Sequence, residues 1–135
     1  MINVLLVALG GAIGACMRYA LVGLVRPMSP GFPTGTLLAN LAGCAAIGLL
    51  AGWLMGGIGG TGAAGGQREQ VRLFLFVGVL GGFTTFSSFA LEVTEMVRAG
   101  RWGAAGVYVV VSNVVGLGLA VGGYALAERG VGGGA

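Results

Sequence analysis

Long uncharged apolar runs alternate with short stretches that hold every charge in the chain. No charged residue occurs from Met1 to Met17, from Pro27 to Gln67, from Leu73 to Leu91 or from Trp102 to Ala127. A helix that crosses a bilayer needs about 20 mainly apolar residues. The pattern predicts four spans: Ile2 to Val25, Thr34 to Met55, Val71 to Val97 and Trp102 to Ala127. The segment from Arg26 to Pro33 holds all three prolines and reads as a turn. Gly56 to Gly66 reads as a flexible glycine-rich loop, and Ala99-Gly100-Arg101 as a short reversal. Residues 1–130 are expected to form a single transmembrane domain and 131–135 a disordered C-terminal tail. The first span lacks a basic leading region and carries Arg18 deep inside, the opposite of a signal peptide's charge order, so it is expected in the mature protein.

Composition points the same way. Charged residues make up 8% of the 135 residues, against about 25% in a typical soluble domain. The mean hydropathy is +0.97. Every basic residue is Arg, every acid is Glu, and there is no His. That excludes imidazole metal ligands, Ser-His-Asp triads and histidine proton relays. A net charge of +3 spread over scattered arginines does not suggest nucleic acid. Cys16 and Cys44 lie in apolar stretches without a CxxC spacing and read as small packing residues. Many of the 30 glycines fall inside apolar segments, where small residues let helices approach closely. Orientation is undetermined. Arg68, Arg72 and Arg129 fall on one side of the membrane, Arg26, Arg98 and Arg101 on the other, and the positive-inside rule finds almost no bias. A chain that inserts both ways has this charge balance.

Polar residues inside the spans are the candidates for chemistry. The third span contains Gly81-Gly82-Phe83-Thr84-Thr85-Phe86-Ser87-Ser88-Phe89 near its middle. Paired glycines followed by β-branched and hydroxyl residues make a poor helix interior. A helix broken here could present carbonyls or amides inside the membrane. A continuous helix with small packing residues is the alternative. Phe86 and Phe89 share a face. Their ring edges carry positive quadrupole that an anion can meet without being trapped, or the rings merely pack. On the second span Thr36 and Asn40 are one turn apart, and Asn40 offers neutral donors or an interhelical clamp. On the fourth, Tyr108, Ser112 and Gly116 form one stripe, with Asn113 turned away by about 100°. Tyr108 also fits an interfacial anchor. Arg18 must snorkel or face water, where it would concentrate anions. Glu92 lies one turn beyond Ser88 and could pair with an arginine, while Glu95 and Arg98 suit a solvated helix end.

Together these residues resemble the CrcB/Fluc family of fluoride channels. The likeness rests on Gly10-Gly11-Ala12-Ile13-Gly14-Ala15 with Arg18-Tyr19, on Gly35-Thr36-Leu37 with Asn40 and Gly43, on the Gly81 to Phe89 run with Glu92, and on Tyr108 and Ser112. It spans all four helices in order. The resemblance implies an all-α membrane protein, its third helix broken near the middle, assembled as an antiparallel dual-topology homodimer with two pores. It implies passive fluoride export across a bacterial plasma membrane. Asn40, Phe86 and Phe89 would face the pore, with Thr36, Ser88 and Arg18 alongside and Tyr108 and Ser112 as a polar track. Backbone carbonyls of Gly81 and Thr84 from both subunits would hold a structural sodium ion. Some relatives carry a second hydroxyl one turn after Ser112, where this chain has Gly116.

Other classes fit less well. Small multidrug-resistance transporters depend on a carboxylate in the first span, and Ile2 to Val25 has none. A proton-coupled antiporter lacks mid-span titratable groups here, and an enzyme lacks catalytic ones. A non-transporting membrane scaffold would leave Asn40, Phe86 and Ser112 as packing only.

Overall fold

The computed structural model describes residues 1–28, 31–56 and 65–132. Its elements are α1 (Ile2–Val25), a 3₁₀ turn (Arg26–Met28), α2 (Thr34–Gly56), α3 (Gly65–Arg72), a π-helical stretch (Leu73–Leu80), α4 (Gly81–Phe83), α5 (Phe86–Arg98) and α6 (Trp102–Gly132). No strand occurs among the described residues. Four stretches are long and apolar enough to cross a membrane: Ile2–Val25, Thr34–Leu54, Gly66–Arg98 and Trp102–Gly130.

Burial is inverted relative to a soluble domain. Leu5, Leu9, Val114, Leu117 and Val121 point outward. The buried set is small, with Ala39, Leu80, Phe89, Met96, Ala105 and Tyr108 at its centre. Outward leucine and valine are favourable when the surrounding solvent is hydrocarbon. No hydrophobic force then drives helix on helix, so close backbone approach has to hold the bundle. Glycine permits it. α1 lies along the π-helical stretch and α4, and α2 lies along α6. A Cβ on Gly14 would collide with the Val79 carbonyl and come within 2.7 Å of the Phe83 nitrogen. One on Gly48 would collide with the Ala120 carbonyl.

The connections follow their residues. α5 ends at Ala99 with Gly100 at φ 73°, a left-handed position that glycine adopts freely. The Gly100 amide donates to the Val97 carbonyl at 3.0 Å and the Arg101 amide to the Met96 carbonyl at 2.8 Å, the paired bonds of a Schellman cap. Arg101 then donates to the Gly31 carbonyl and ties the two loops at that end of the bundle together.

Three boundaries differ from the sequence expectation. The third span starts at Gly65 instead of Val71, because Gln67 to Arg72 are good helix formers once the chain has left the membrane. Of the expected Gly56 to Gly66 loop, Gly56, Gly65 and Gly66 are helical and residues 57–64 lie outside the described residues. α6 runs past Ala127 to Gly132, so residues 131 and 132 are helix; residues 133–135 of the expected tail lie outside the described residues.

Candidate functional site

Thr84 and Thr85 separate α4 from α5. Both are extended, with φ/ψ of −87°/158° and −153°/122°. Two extended residues remove amides and carbonyls from the helical ladder, and inside a membrane each must find another partner. Asn40 supplies two of them. Its Oδ1 accepts from the Thr85 amide at 2.8 Å, and its Nδ2 donates to the Thr85 carbonyl at 3.0 Å. A carboxamide is the one neutral side-chain group that offers donor and acceptor side by side. The Thr85 hydroxyl then caps α5 by accepting from the Ser88 amide at 3.2 Å, and donates to the Ser88 hydroxyl at 3.1 Å.

These bonds have a consequence for the carbonyls. In an uninterrupted helix the Gly81 carbonyl would accept from the Thr85 amide and the Thr84 carbonyl from the Ser88 amide. Here Asn40 takes the first donor and the Thr85 hydroxyl takes the second. The Gly82 carbonyl, between them, accepts from Arg18 Nε at 3.2 Å. Arg18 is half-buried and lines neither of the cavities described below; its Nε meets the C-terminal end of the helix, where partial negative charge collects. The Thr84 hydroxyl donates back to the Leu80 carbonyl at 2.9 Å. Gly43 on α2 makes room for Thr84, whose methyl group stands where a Cβ would be.

An open groove of about 360 Å³ runs beside this break. Asn40, Gly81, Thr84, Phe86, Phe89 and Ser112 all line it. Six of the residues singled out from the sequence are therefore brought together by three different spans. The two phenylalanines touch, with ring centroids 5.6 Å apart and planes at 43°. They are not equivalent. Phe86 is 79% exposed, whereas Phe89 is 8% exposed and packs on Tyr108 at 5.1 Å. The Ser112 hydroxyl is shut off from solvent without a hydrogen-bond partner among the described residues. One turn on, a Cβ at Gly116 would come within 3.3 Å of the Cys44 sulfur, so a thiol stands where the polar stripe would otherwise continue.

Thr36 and Tyr108 meet elsewhere, at Glu92. The Thr36 hydroxyl donates to Glu92 Oε1 at 2.6 Å and the Tyr108 hydroxyl to Oε2 at 2.7 Å. Both carboxylate oxygens are thus held by hydroxyls, and among the described residues no arginine pairs with Glu92. Tyr108 is 0% exposed, with Phe32 against it edge-on at 5.6 Å, which rules out the interfacial-anchor reading. Glu92 and Thr36 also line a larger cavity of about 710 Å³, with Arg26 and Arg101 at its rim. Phe89 and Tyr108 lie between Glu92 and the groove, in contact with each other. Ser88 lies within the Thr85 hydroxyl network and lines neither cavity.

Two features escaped the sequence. Thr85, read only as part of a poor helix interior, is the hub of the break. Asn113, read as turned away, lines the same groove as Ser112. Glu92 was visible as an acid inside a span, but its partners lie 56 and 16 residues away in the chain and nothing local names them.

Known proteins resemble this chain over most of its length. Residues 5–124 match the family model described as CrcB-like protein, Camphor Resistance (CrcB). A Hyphomonas neptunium protein named fluoride-specific ion channel FluC is 53% identical over 115 residues, covering 84% of this chain and 85% of its own. A Methylobacillus flagellatus protein of the same name is 45% identical over 119 residues, covering 87% and 88%. An Agrobacterium fabrum protein, again of that name, is 43% identical over 131 residues, covering 96% and 98%. With residues 5–124 of its 135 matched by the family model and relatives up to 53% identical, this chain belongs to the CrcB-like family.

Proposed function

We propose that this chain is a fluoride-selective channel of the bacterial plasma membrane, a passive exporter and not an enzyme. The observation that carries the reading is the groove, where neutral donors and aromatic rings stand together inside a membrane-spanning bundle. Fluoride is small and strongly hydrated. A pore has to replace its water shell and still release it. The second N–H of Asn40 and the unpartnered Ser112 hydroxyl are neutral donors. The edges of Phe86 and Phe89 add positive quadrupole without a full charge. The family relatives named as fluoride channels support the same ion.

The working unit in this reading is a homodimer of inverted copies. Phe86 is 79% exposed at the rim of an open groove, and a second copy would complete the wall. The near-equal arginine counts on the two sides permit insertion both ways. In this unit the third span acts as a broken helix whose freed carbonyls meet their symmetry mates at the dimer centre. Gly81 and Thr84 are suited to a sodium ion there: each has lost its helical donor, and the Thr84 hydroxyl is already committed to Leu80. Bound sodium would supply a fixed positive centre that ties the two breaks together. No group of three acidic, cysteine or histidine ligands exists among the described residues, so carbonyls are the donors available.

The test is efflux from reconstituted vesicles loaded with fluoride or chloride. Electrogenic fluoride efflux with chloride retained is expected. Equal loss of both ions, or fluoride movement tied stoichiometrically to protons, would refute the channel. Single-cysteine variants at the Arg26–Pro33 turn and at Arg101 should label from both sides of the membrane; labelling from one side only would refute the inverted dimer.

A further inference from the structure

Asn113 lines the groove and makes one side-chain hydrogen bond, within its own helix. It lies near the middle of the uncharged run from Trp102 to Ala127, eleven residues into α6. At about 1.5 Å per residue that is roughly 16 Å from the helix start, close to half of the ~30 Å hydrocarbon core. Its side chain is exposed at this depth. Nδ2 donates back to the Val109 carbonyl at 2.8 Å, which occupies one of its two N–H groups. The other N–H and Oδ1 have no partner among the described residues. An unsatisfied amide facing hydrocarbon is costly, so such a residue survives where something polar reaches it. The residue beside it, Ser112, carries a hydroxyl that is closed to solvent and also without a partner. Both line the groove with Asn40 and Phe86.

We propose that Asn113 is a second amide of the ion path: its free N–H contacts fluoride in the groove, next to the Ser112 hydroxyl and opposite the exposed ring of Phe86. This rests on the fluoride-channel reading above and extends it to a residue on which that reading does not depend. Asn40 spends its amide on the Thr85 backbone and is held rigid. Asn113 is held by one local bond, which leaves its second N–H uncommitted. The polar stripe, interrupted at Gly116 by the Cys44 thiol, therefore turns sideways on α6 instead of continuing along it.

The experiment compares wild type, Asn113→Leu and Asn113→Ser in vesicles, with efflux rate per dimer and dimer fraction by size exclusion in detergent. Wild-type fluoride efflux is measured first; its absence would remove the parent reading and not this residue alone. With wild type active, Asn113→Leu is expected to slow fluoride efflux per dimer about tenfold, the order expected when one transition-state contact is lost. Asn113→Ser keeps a small donor and is expected to recover most of the rate. Its apparent half-saturation for fluoride should shift, which a packing role would not produce. Wild-type efflux in Asn113→Leu overturns the proposal. So does a loss that follows the dimer fraction with flux per dimer unchanged, and so does equal loss in the leucine and serine variants.

Discussion

Replacing Asn40 by alanine tests whether the break or the chain around it defines the site. The substitution deletes two hydrogen bonds, at 2.8 and 3.0 Å, that satisfy both backbone groups of Thr85. Interhelical hydrogen bonds in membranes are worth about 0.6–2 kcal/mol each, so the loss should be about 1–4 kcal/mol. The Thr85 amide is then free to return to the Gly81 carbonyl, its ordinary helical acceptor, and the break can close. Asn40→Asp separates the contributions. It keeps the acceptor for the Thr85 amide but sets a carboxylate oxygen where Nδ2 now meets the Thr85 carbonyl at 3.0 Å. That exchanges attraction for repulsion and adds negative charge to an anion path. Unfolding in detergent measures the stability change, and efflux per dimer measures the function. Asn40→Ala is expected to lose stability and at least tenfold in fluoride efflux, equivalent to about 1.4 kcal/mol in a barrier. Asn40→Asp is expected to lose at least as much efflux. An alanine variant within about 0.5 kcal/mol of wild type, the range of an ordinary surface substitution, and conducting normally would refute the clamp.

Further outcomes follow from individual contacts. Phe86→Ile and Phe89→Ile should each cut fluoride efflux about tenfold, but Phe89→Ile should destabilise more, by about 0.5–1.5 kcal/mol for the ring pair with Tyr108 that it loses in addition to the Phe86–Phe89 pair common to both; equal stability loss in both would contradict the burial difference. Gly14→Ala drives a methyl group into the Val79 carbonyl and should cost about 1–3 kcal/mol or more in an unfolding titration. Gly11→Ala, whose Cβ would meet nothing within 4 Å, serves as the neutral control. Tyr108→Phe removes one of two donors to Glu92 and leaves a carboxylate oxygen without its partner. A loss of about 1–3 kcal/mol is expected in detergent unfolding, and no change would show that water already serves that oxygen.

The charge pattern alone determines that four helices cross a membrane, because the cost of charge in hydrocarbon places every Arg and Glu near an end or against a partner. It also limits the chemistry to neutral donors, aromatic rings, arginine and one deep acid. Residue type likewise marks the weak point in the third span, since Gly-Gly-Phe-Thr-Thr is a poor helix interior. What each polar group is joined to could come only from the folded bundle. Asn40 reads equally as a neutral donor or an interhelical clamp until α2 lies against Thr85 and engages its amide on both sides. Phe86 and Phe89 are equivalent by spacing, and only the neighbouring Tyr108 makes one buried and leaves the other exposed. Arg18 and Glu92 are visible as charges inside spans, but only the folded bundle joins one to a helix end and the other to two hydroxyls. Periodicity along one chain says which residues share a face. It carries no information about which face of another helix will meet it, and at this site that meeting decides which carbonyls, amides and rings remain free.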